Sequence, residues 1–117
     1  MVVTRLFTGD DGESHFEDIE VPLEDQGMIG RMSAREAVAD IIFRTTGSDY
    51  DYDWHNAPEE QYIIILSGRV EIQVGDGTKR VFGPGDIISA EDTTGRGHIS
   101  KAIDDEPRRS IFVTKNR

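Results

Sequence analysis

His55 and His98 are the side chains best equipped to hold a metal ion or move a proton near neutral pH, because imidazole titrates there. Both stand in segments whose spacing suits a shared site. His55 opens the stretch Trp54-His55-Asn56-Ala57-Pro58-Glu59-Glu60-Gln61, which enters a β-prone run from Tyr62 to Leu66 and stops at Ser67-Gly68. His98 follows Phe82-Gly83-Pro84-Gly85-Asp86-Ile87-Ile88 and a small-residue turn, Glu91 to Gly97. Gln61 adds an amide oxygen, a poorer donor to a transition metal than a carboxylate and one that neutralises no charge. Three protein ligands plus water still hold a divalent ion in catalytic zinc sites. The competing expectation is that both histidines line a pocket and hydrogen-bond to a ligand or to water. Asp53 or Asp92 could supply a further ligand, but nothing in the pattern places either carboxylate in a shared interior.

Other residues carry weaker signals. Arg44 lies in an apolar run, where it either reaches to a rim or faces inward and grips an anion with its planar fork. Tyr50, Tyr52 and Trp54 cluster ahead of His55 and read as rim, core or interface packing. Thr93-Thr94-Gly95-Arg96-Gly97 has the hydroxyls and glycines of a pocket lip. It precedes a strand rather than a helix, so it lacks the dipole that makes phosphate loops effective. His15, with Ser14, Phe16 and Glu17 around it, matches no metal or catalytic spacing and suits a surface or interface on an edge strand.

The elements that must position these residues are short strands. Leu6-Phe7 starts one, and Gly9-Asp10-Asp11-Gly12 interrupts it with turn chemistry. His15 to Val21 alternates and is followed by Pro22, as an edge strand does. Ala37 to Thr46, rich in β-branched residues, is expected to be a central strand. Asp49 to Asp53 is expected to be an acidic, aromatic loop. Arg69 to Val74 alternates polar and apolar without error, and Gly75-Asp76-Gly77 turns it into Lys79 to Phe82 as a hairpin. Asp86–Ala90, Gly97–Ile103 and Arg109–Thr114 complete the set. Ser33 to Asp40 has room for a helical turn and no more. Many short strands with frequent turns predict an all-β sandwich or barrel.

Composition excludes several classes. The chain has 117 residues, the size of one domain. Thirteen Lys and Arg against 23 Asp and Glu give a net charge of −10, which repels phosphate backbones and anionic membranes. No nucleic-acid or membrane partner is therefore expected. Cysteine is absent, so disulfides, thiolate nucleophiles and zinc–sulfur sites are excluded. The first residues lack the apolar core of a signal peptide, and a cytoplasmic location is the expectation. Nucleophile-elbow, Rossmann and Walker patterns are missing.

The two stretches around His55 and His98 resemble the paired sequence motifs of the cupin family. The first family motif runs Gly, His-x-His, Glu, Gly; the second contains Pro-x-Gly or Pro-Gly-Asp and a later His. On that pattern His55 takes the first histidine, Ala57 the second, Gln61 the glutamate and Gly68 the closing glycine. Pro84-Gly85-Asp86 takes the turn of the second motif and His98 its histidine, while Lys101 stands where the family often has Asn. The resemblance covers roughly Ala37 to Thr114. It implies a cupin-type double-stranded β-helix, a jelly-roll barrel in one domain. Residues 37–117 form the barrel, and residues 1–36 add strands that pack on it or on a dimer partner. A reduced ligand set of His55, Gln61 and His98 for a divalent Fe, Ni, Mn or Zn ion is implied, with Arg44, Trp54, Ala57 and Thr94 around a small, anionic organic ligand. The alternative is a non-catalytic binding or structural barrel without metal, and whether the protein is an enzyme stays open. A homodimer is expected, with Phe16, Ile19, Val21 and Trp54 as candidates for the contact.

Overall fold

The chain folds into two facing β-sheets joined by tight turns, as seen in a computed structural model that describes residues 1–115. The last two positions of the expected barrel, 116 and 117, lie outside the described residues. Chain order gives β1 (Val2–Thr8), β2 (Ser14–Glu20), β3 (Glu24–Asp25), β4 (Arg31–Met32), β5 (Val38–Thr46) and β6 (Asp51–His55). It continues with β7 (Gln61–Ser67), β8 (Val70–Gln73), β9 (Lys79–Phe82), β10 (Ile87–Ala90), β11 (His98–Ala102) and β12 (Arg108–Lys115). The larger sheet has the order β2-β1-β10-β7-β12-β5, and the smaller has β6-β11-β8-β9. Strands β3 and β4 form a separate hairpin over a short 3-10 turn at Gly27–Ile29. No helical turn forms between Ser33 and Asp40.

The expected period-two alternation is visible in the core. Val70 and Ile72 of β8 are buried while Glu71 and Gln73 are half-exposed. With Val74 and Phe82 they meet Leu6, Ile65 and Ile88 from the larger sheet, and Phe16 and Ile63 pack around them. Each such side chain contributes roughly 1.5–3 kcal/mol over leaving it in water. The β8–β9 hairpin forms at Gly75-Asp76-Gly77 as its turn chemistry requires. Strand β1 pairs with β2 by a hairpin and with β10 in parallel, which carries the N-terminal segment into the larger sheet.

Two expectations are corrected. Residues 38–46 do form a strand, but β5 pairs only with β12 and lies at the edge of the larger sheet, not in its centre. The central place is taken by β7, flanked by β10 and β12. A β-branched run specifies an extended backbone, whereas neighbours are set by the whole topology. The expected loop at 49–53 is in part strand, because Tyr52 and Asp51 pair with Ser100 and Lys101 of β11. Strand β2 lies at the opposite edge, as its sequence suggested. Of the four residues expected in a dimer contact, Phe16 packs against the core, its ring 6.0 Å from that of Phe82.

Candidate functional site

Strands β6 and β11 are antiparallel neighbours, and their register sets His55 opposite His98. The two imidazole centroids are 4.4 Å apart with planes tilted by 57°. Nδ1 of His55 lies 2.7 Å from the Asp53 carbonyl, which can only accept, so Nδ1 carries the proton and Nε2 is left as a bare acceptor. Tyr52 stacks on the His55 ring at 3.9 Å. Burial lowers the His55 pKa, and neighbouring His98 adds to the effect against the opposing hydrogen bond to Asp53. The ring is therefore neutral at pH 7.

His98 is fixed in the same sense by another partner. Its Nδ1–H donates to Oδ2 of Asp92 at 2.5 Å, and the Ser14 hydroxyl donates to the same oxygen at 2.7 Å. Asp92 has no solvent exposure. Nε2 of His98 is thus the free nitrogen, as in His55. Two imidazoles held in one tautomer can accept hydrogen bonds or protons from a bound molecule, or offer lone pairs to a metal.

Behind the histidines, the space between the sheets forms a lumen of about 390 Å³, within the ~300–1,000 Å³ span of small-molecule sites. Its walls are mainly apolar, from Ile42, Ile63, Ile72, Ile88, Ala90 and Phe112, and among the described residues no Asp or Glu lines it. Two arginines do. Arg44 of β5 lies 5.6 Å from the Tyr50 ring and 5.2 Å from Phe112, and Arg108 of β12 lies 5.1 Å from Tyr50. Arg108 is 7% exposed and its Nη1 is buried without a hydrogen-bond partner. Desolvation, with Arg44 close by, pulls the Arg108 pKa down against the Tyr50 contribution. Gly68 makes this placement feasible. It has φ +77°, and a Cβ there would come within 2.8 Å of the Arg108 Cα. Only glycine lets the β7–β8 turn close against the start of β12.

The lip is the segment from 91 to 97. The Asn56 side-chain amide donates to the carbonyls of Thr94 and Gly95 at 2.9 and 3.1 Å and to that of Asp92 at 3.3 Å. The Ala57 amide also donates to the Asp92 carbonyl, at 3.2 Å. Gly97, with φ +80°, packs so tightly that a Cβ would lie 2.0 Å from the His55 carbonyl oxygen. The chain thereby turns back on β6 and delivers His98 beside His55.

Of the residues expected around a site, His55, Gln61, His98, Arg44 and Ala57 all line the lumen. Gln61 reaches it from β7 in the facing sheet. Trp54 is not among the lining residues; its ring lies under the Arg96 guanidinium at 3.9 Å. Thr94 is likewise outside the lining, and its carbonyl is held by Asn56 and by Thr8. His15 is paired with Asp11 at 2.9 Å on the surface. Sequence reasoning missed Arg108 and Asn56; Asp92, weighed there as a further ligand, instead holds the His98 ring through Nδ1. Arg108 was within reach of it, since β12 alternation places Arg108 and Ser110 on the face of Phe112.

The donor set matches a metal site in part. Both Nε2 lone pairs are free and their Nδ1 partners have the orienting role that outer-shell groups play around metals. Among the described residues, however, no three His, Cys, Asp or Glu side chains are grouped to hold an ion. Gln61 is the remaining donor, and two neutral imidazoles with an amide leave a divalent charge uncompensated.

Comparison with known structures agrees with this architecture. A Cupin 2 conserved barrel domain protein from Salinispora arenicola superposes with a TM-score of 0.52 at 21% identity, over 80% of this chain and 76% of that one. A double-stranded β-helix domain protein of uncharacterised role from Klebsiella pneumoniae matches with a TM-score of 0.50 at 21% identity, over 64% of each chain. The match thus spans a little under two thirds of the Klebsiella protein. A protein of unknown function from Streptococcus pyogenes gives 0.51 at 20% identity, over 73% and 71%. No family model matches the chain, and no curated protein does. The fold is the cupin-type double-stranded β-helix.

Proposed function

We propose that the lumen binds a small organic anion, its acidic group held by Arg108 and Arg44 and its other end facing His55 and His98. The observation that carries this reading is the buried, unpartnered Nη1 of Arg108. In a chain with net charge −10, the lumen lining among the described residues contains two guanidiniums and no carboxylate. A buried donor without an acceptor costs free energy, ~1–3 kcal/mol or more when charged. A planar carboxylate or similar anion would satisfy the fork and offset that cost. Apolar walls between the two ends suit a ligand with a hydrocarbon or aromatic body.

The experiment uses Arg108→Met, which keeps volume and removes the charge. Without ligand, the variant melts roughly 5 °C higher than wild type, because the unsatisfied group is gone. Millimolar benzoate raises the wild-type melting temperature, the neutral isostere benzamide does not, and Arg108→Met responds to neither. A lower melting point for Arg108→Met, or equal responses to benzoate and benzamide, would overturn the proposal.

The shared tautomer of His55 and His98 favours a second, compatible reading, in which a divalent transition ion sits at their Nε2 atoms with Gln61. Such an ion would supply Lewis acidity beside the ligand. With so weak a donor set, purified protein is expected to carry well under one equivalent of Fe, Ni, Mn or Zn by elemental analysis. The double change of His55 and His98 to alanine should remove what there is; undiminished metal in that variant places it elsewhere.

A further inference from the structure

Two side chains of opposite charge are buried at the lumen, and among the described residues neither has a permanent charge of the other sign beside it. Arg108 has its unpartnered Nη1. Asp92, at 0% exposure, stands behind His98 and outside the lining. Its Oδ1 is buried without a hydrogen-bond partner, and only the His98 ring lies within ion-pair distance of its carboxylate. We infer that the lumen selects a zwitterion, a small acid whose far end carries an ammonium, with an apolar body between the two charges. This rests on the anion reading proposed above and names the other end of the same ligand.

The strands set the two charges at different levels. His98 opens β11, and the amide of Ala102 at the other end of that strand donates to the Tyr50 carbonyl. The Tyr50 ring is the one that both guanidiniums flank. Its hydroxyl leans back to Ser100, two residues from His98. Two to four strand residues, ~7–13 Å, thus separate the arginine end from the imidazole end. Burial aside, both charges are felt at His55, where Asp92 favours a positive charge and Arg44 opposes one. The lumen is therefore dipolar, positive around Tyr50 and negative behind His98.

An ammonium suits the negative end in three ways. Each Nδ1 is committed to an acceptor, so both Nε2 atoms can only accept, and an ammonium brings three N–H donors. Its single positive charge matches the single carboxylate, whereas a divalent ion leaves one charge over. A hydrogen bond from the ammonium to His98 Nε2 also continues through Nδ1–H to Asp92, and chains of this kind strengthen one another in a low-dielectric interior. A ligand ending in a methyl group leaves both Nε2 lone pairs unmet. One with both charges on a single carbon cannot reach the two ends at once.

Calorimetric titration of chelator-treated protein at pH 7 tests the inference. 4-(Aminomethyl)benzoate, cationic at its amine, binds ~10-fold or more tightly than 4-methylbenzoate, because charge-assisted hydrogen bonds take the place of a methyl group. Phenylglycine, the isomer with both charges on one carbon, shows no such gain, and 4-methylbenzylamine, which lacks the carboxylate, binds weakest. Asp92→Asn keeps an oxygen for His98 and Ser14 but removes the charge. It brings the two para-substituted benzoates within ~3-fold of each other, whereas a merely structural role would weaken both together. Circular dichroism verifies that this variant is folded, and the wild-type series decides independently of it. Equal wild-type affinities for 4-(aminomethyl)benzoate and 4-methylbenzoate overturn the inference and leave the anion reading standing. Absence of binding by every benzoate removes that reading and the inference with it. An equal gain for phenylglycine, a preference undiminished in folded Asp92→Asn, or one that appears only once zinc is restored also overturns it, the last by assigning the amine to an ion.

Discussion

At the scale of the residue, Asp92 determines what His98 can do. Its Oδ2 accepts from both His98 Nδ1 and the Ser14 hydroxyl at zero exposure, so both partners depend on one oxygen. Asp92→Ala would leave a buried imidazole N–H and a buried hydroxyl unpaired, and urea denaturation should show a loss of ~2–5 kcal/mol. Ser14→Ala, which removes one donor and leaves the histidine bond intact, should lose only ~1 kcal/mol. Equal losses would mean that the histidine bond contributes nothing. Nitrogen-15 spectra of the His98 ring should report a bare Nε2 in wild type and a mixture of tautomers in Asp92→Ala. The histidines themselves were legible because their spacing from Gly68 and from Pro84-Gly85-Asp86 marks strand positions. Asp92 was legible only as a candidate ligand, since nothing in the Glu-Asp-Thr-Thr turn places its carboxylate. Its burial comes from Ser14, 78 residues away, and from the docking of the lip on Asn56. Arg108 was hidden by Arg109, because two adjacent arginines suggest a charged surface until the strand's alternation separates them. Burial of one and exposure of the other follow from which sheet face each meets.

At the scale of the element, the exposed run before β5 makes a hydrogen bond to the sheet that has a measurable signature. The Tyr62 hydroxyl donates to the Glu36 carboxylate at 2.6 Å from the middle of the larger sheet. Burial, reinforced by Glu36, pushes the Tyr62 pKa from 10.0 up to about 12. The unfolded chain therefore releases this proton before the folded one does. The contribution is whole below pH 10 and is lost as pH rises from there toward 12. Chemical denaturation across that range should show stability falling with pH, and Tyr62→Phe should flatten the slope; an unchanged slope would assign it to other groups. The same elements show what pattern does and does not reveal. Alternation in Arg69 to Val74 and the glycine turn after it were enough to specify a hairpin, because both are local. The rank of β5 in its sheet is non-local. A strand with Val, Ile and Phe on both faces is what a central position requires, yet the topology leaves this one at the edge.

At the scale of the whole molecule, the larger sheet gathers strands from both halves of the chain. Its strand β12 is inserted between β7 and β5, and β1 is paired in parallel with β10. Such pairings close long loops, and topologies dominated by them fold on the millisecond-to-second scale. Charge is distributed to suit this shape, with ion pairs such as Arg69–Asp104 and Arg80–Asp18 on the outside and, among the described residues, no acid lining the lumen. Among the described residues no helix is long and apolar enough to cross a membrane.

The insertion of β12 has a consequence for how a ribosome must deliver this protein. Synthesis releases β5 and β7 well before β12 exists, and in the finished sheet neither touches the other except through it. For that interval the nascent chain presents two apolar strands with open edges, Val38–Thr46 and Gln61–Ser67; β7 can find β10 once it emerges, whereas β5 must wait for β12. Strands in that condition pair with whatever strand is nearest, including those on neighbouring polysomes. The charge that would guard such an edge is missing from the middle of β5, where Ile41, Ile42 and Phe43 follow one another. Those three apolar side chains therefore make β5 the strand most in need of a chaperone at birth.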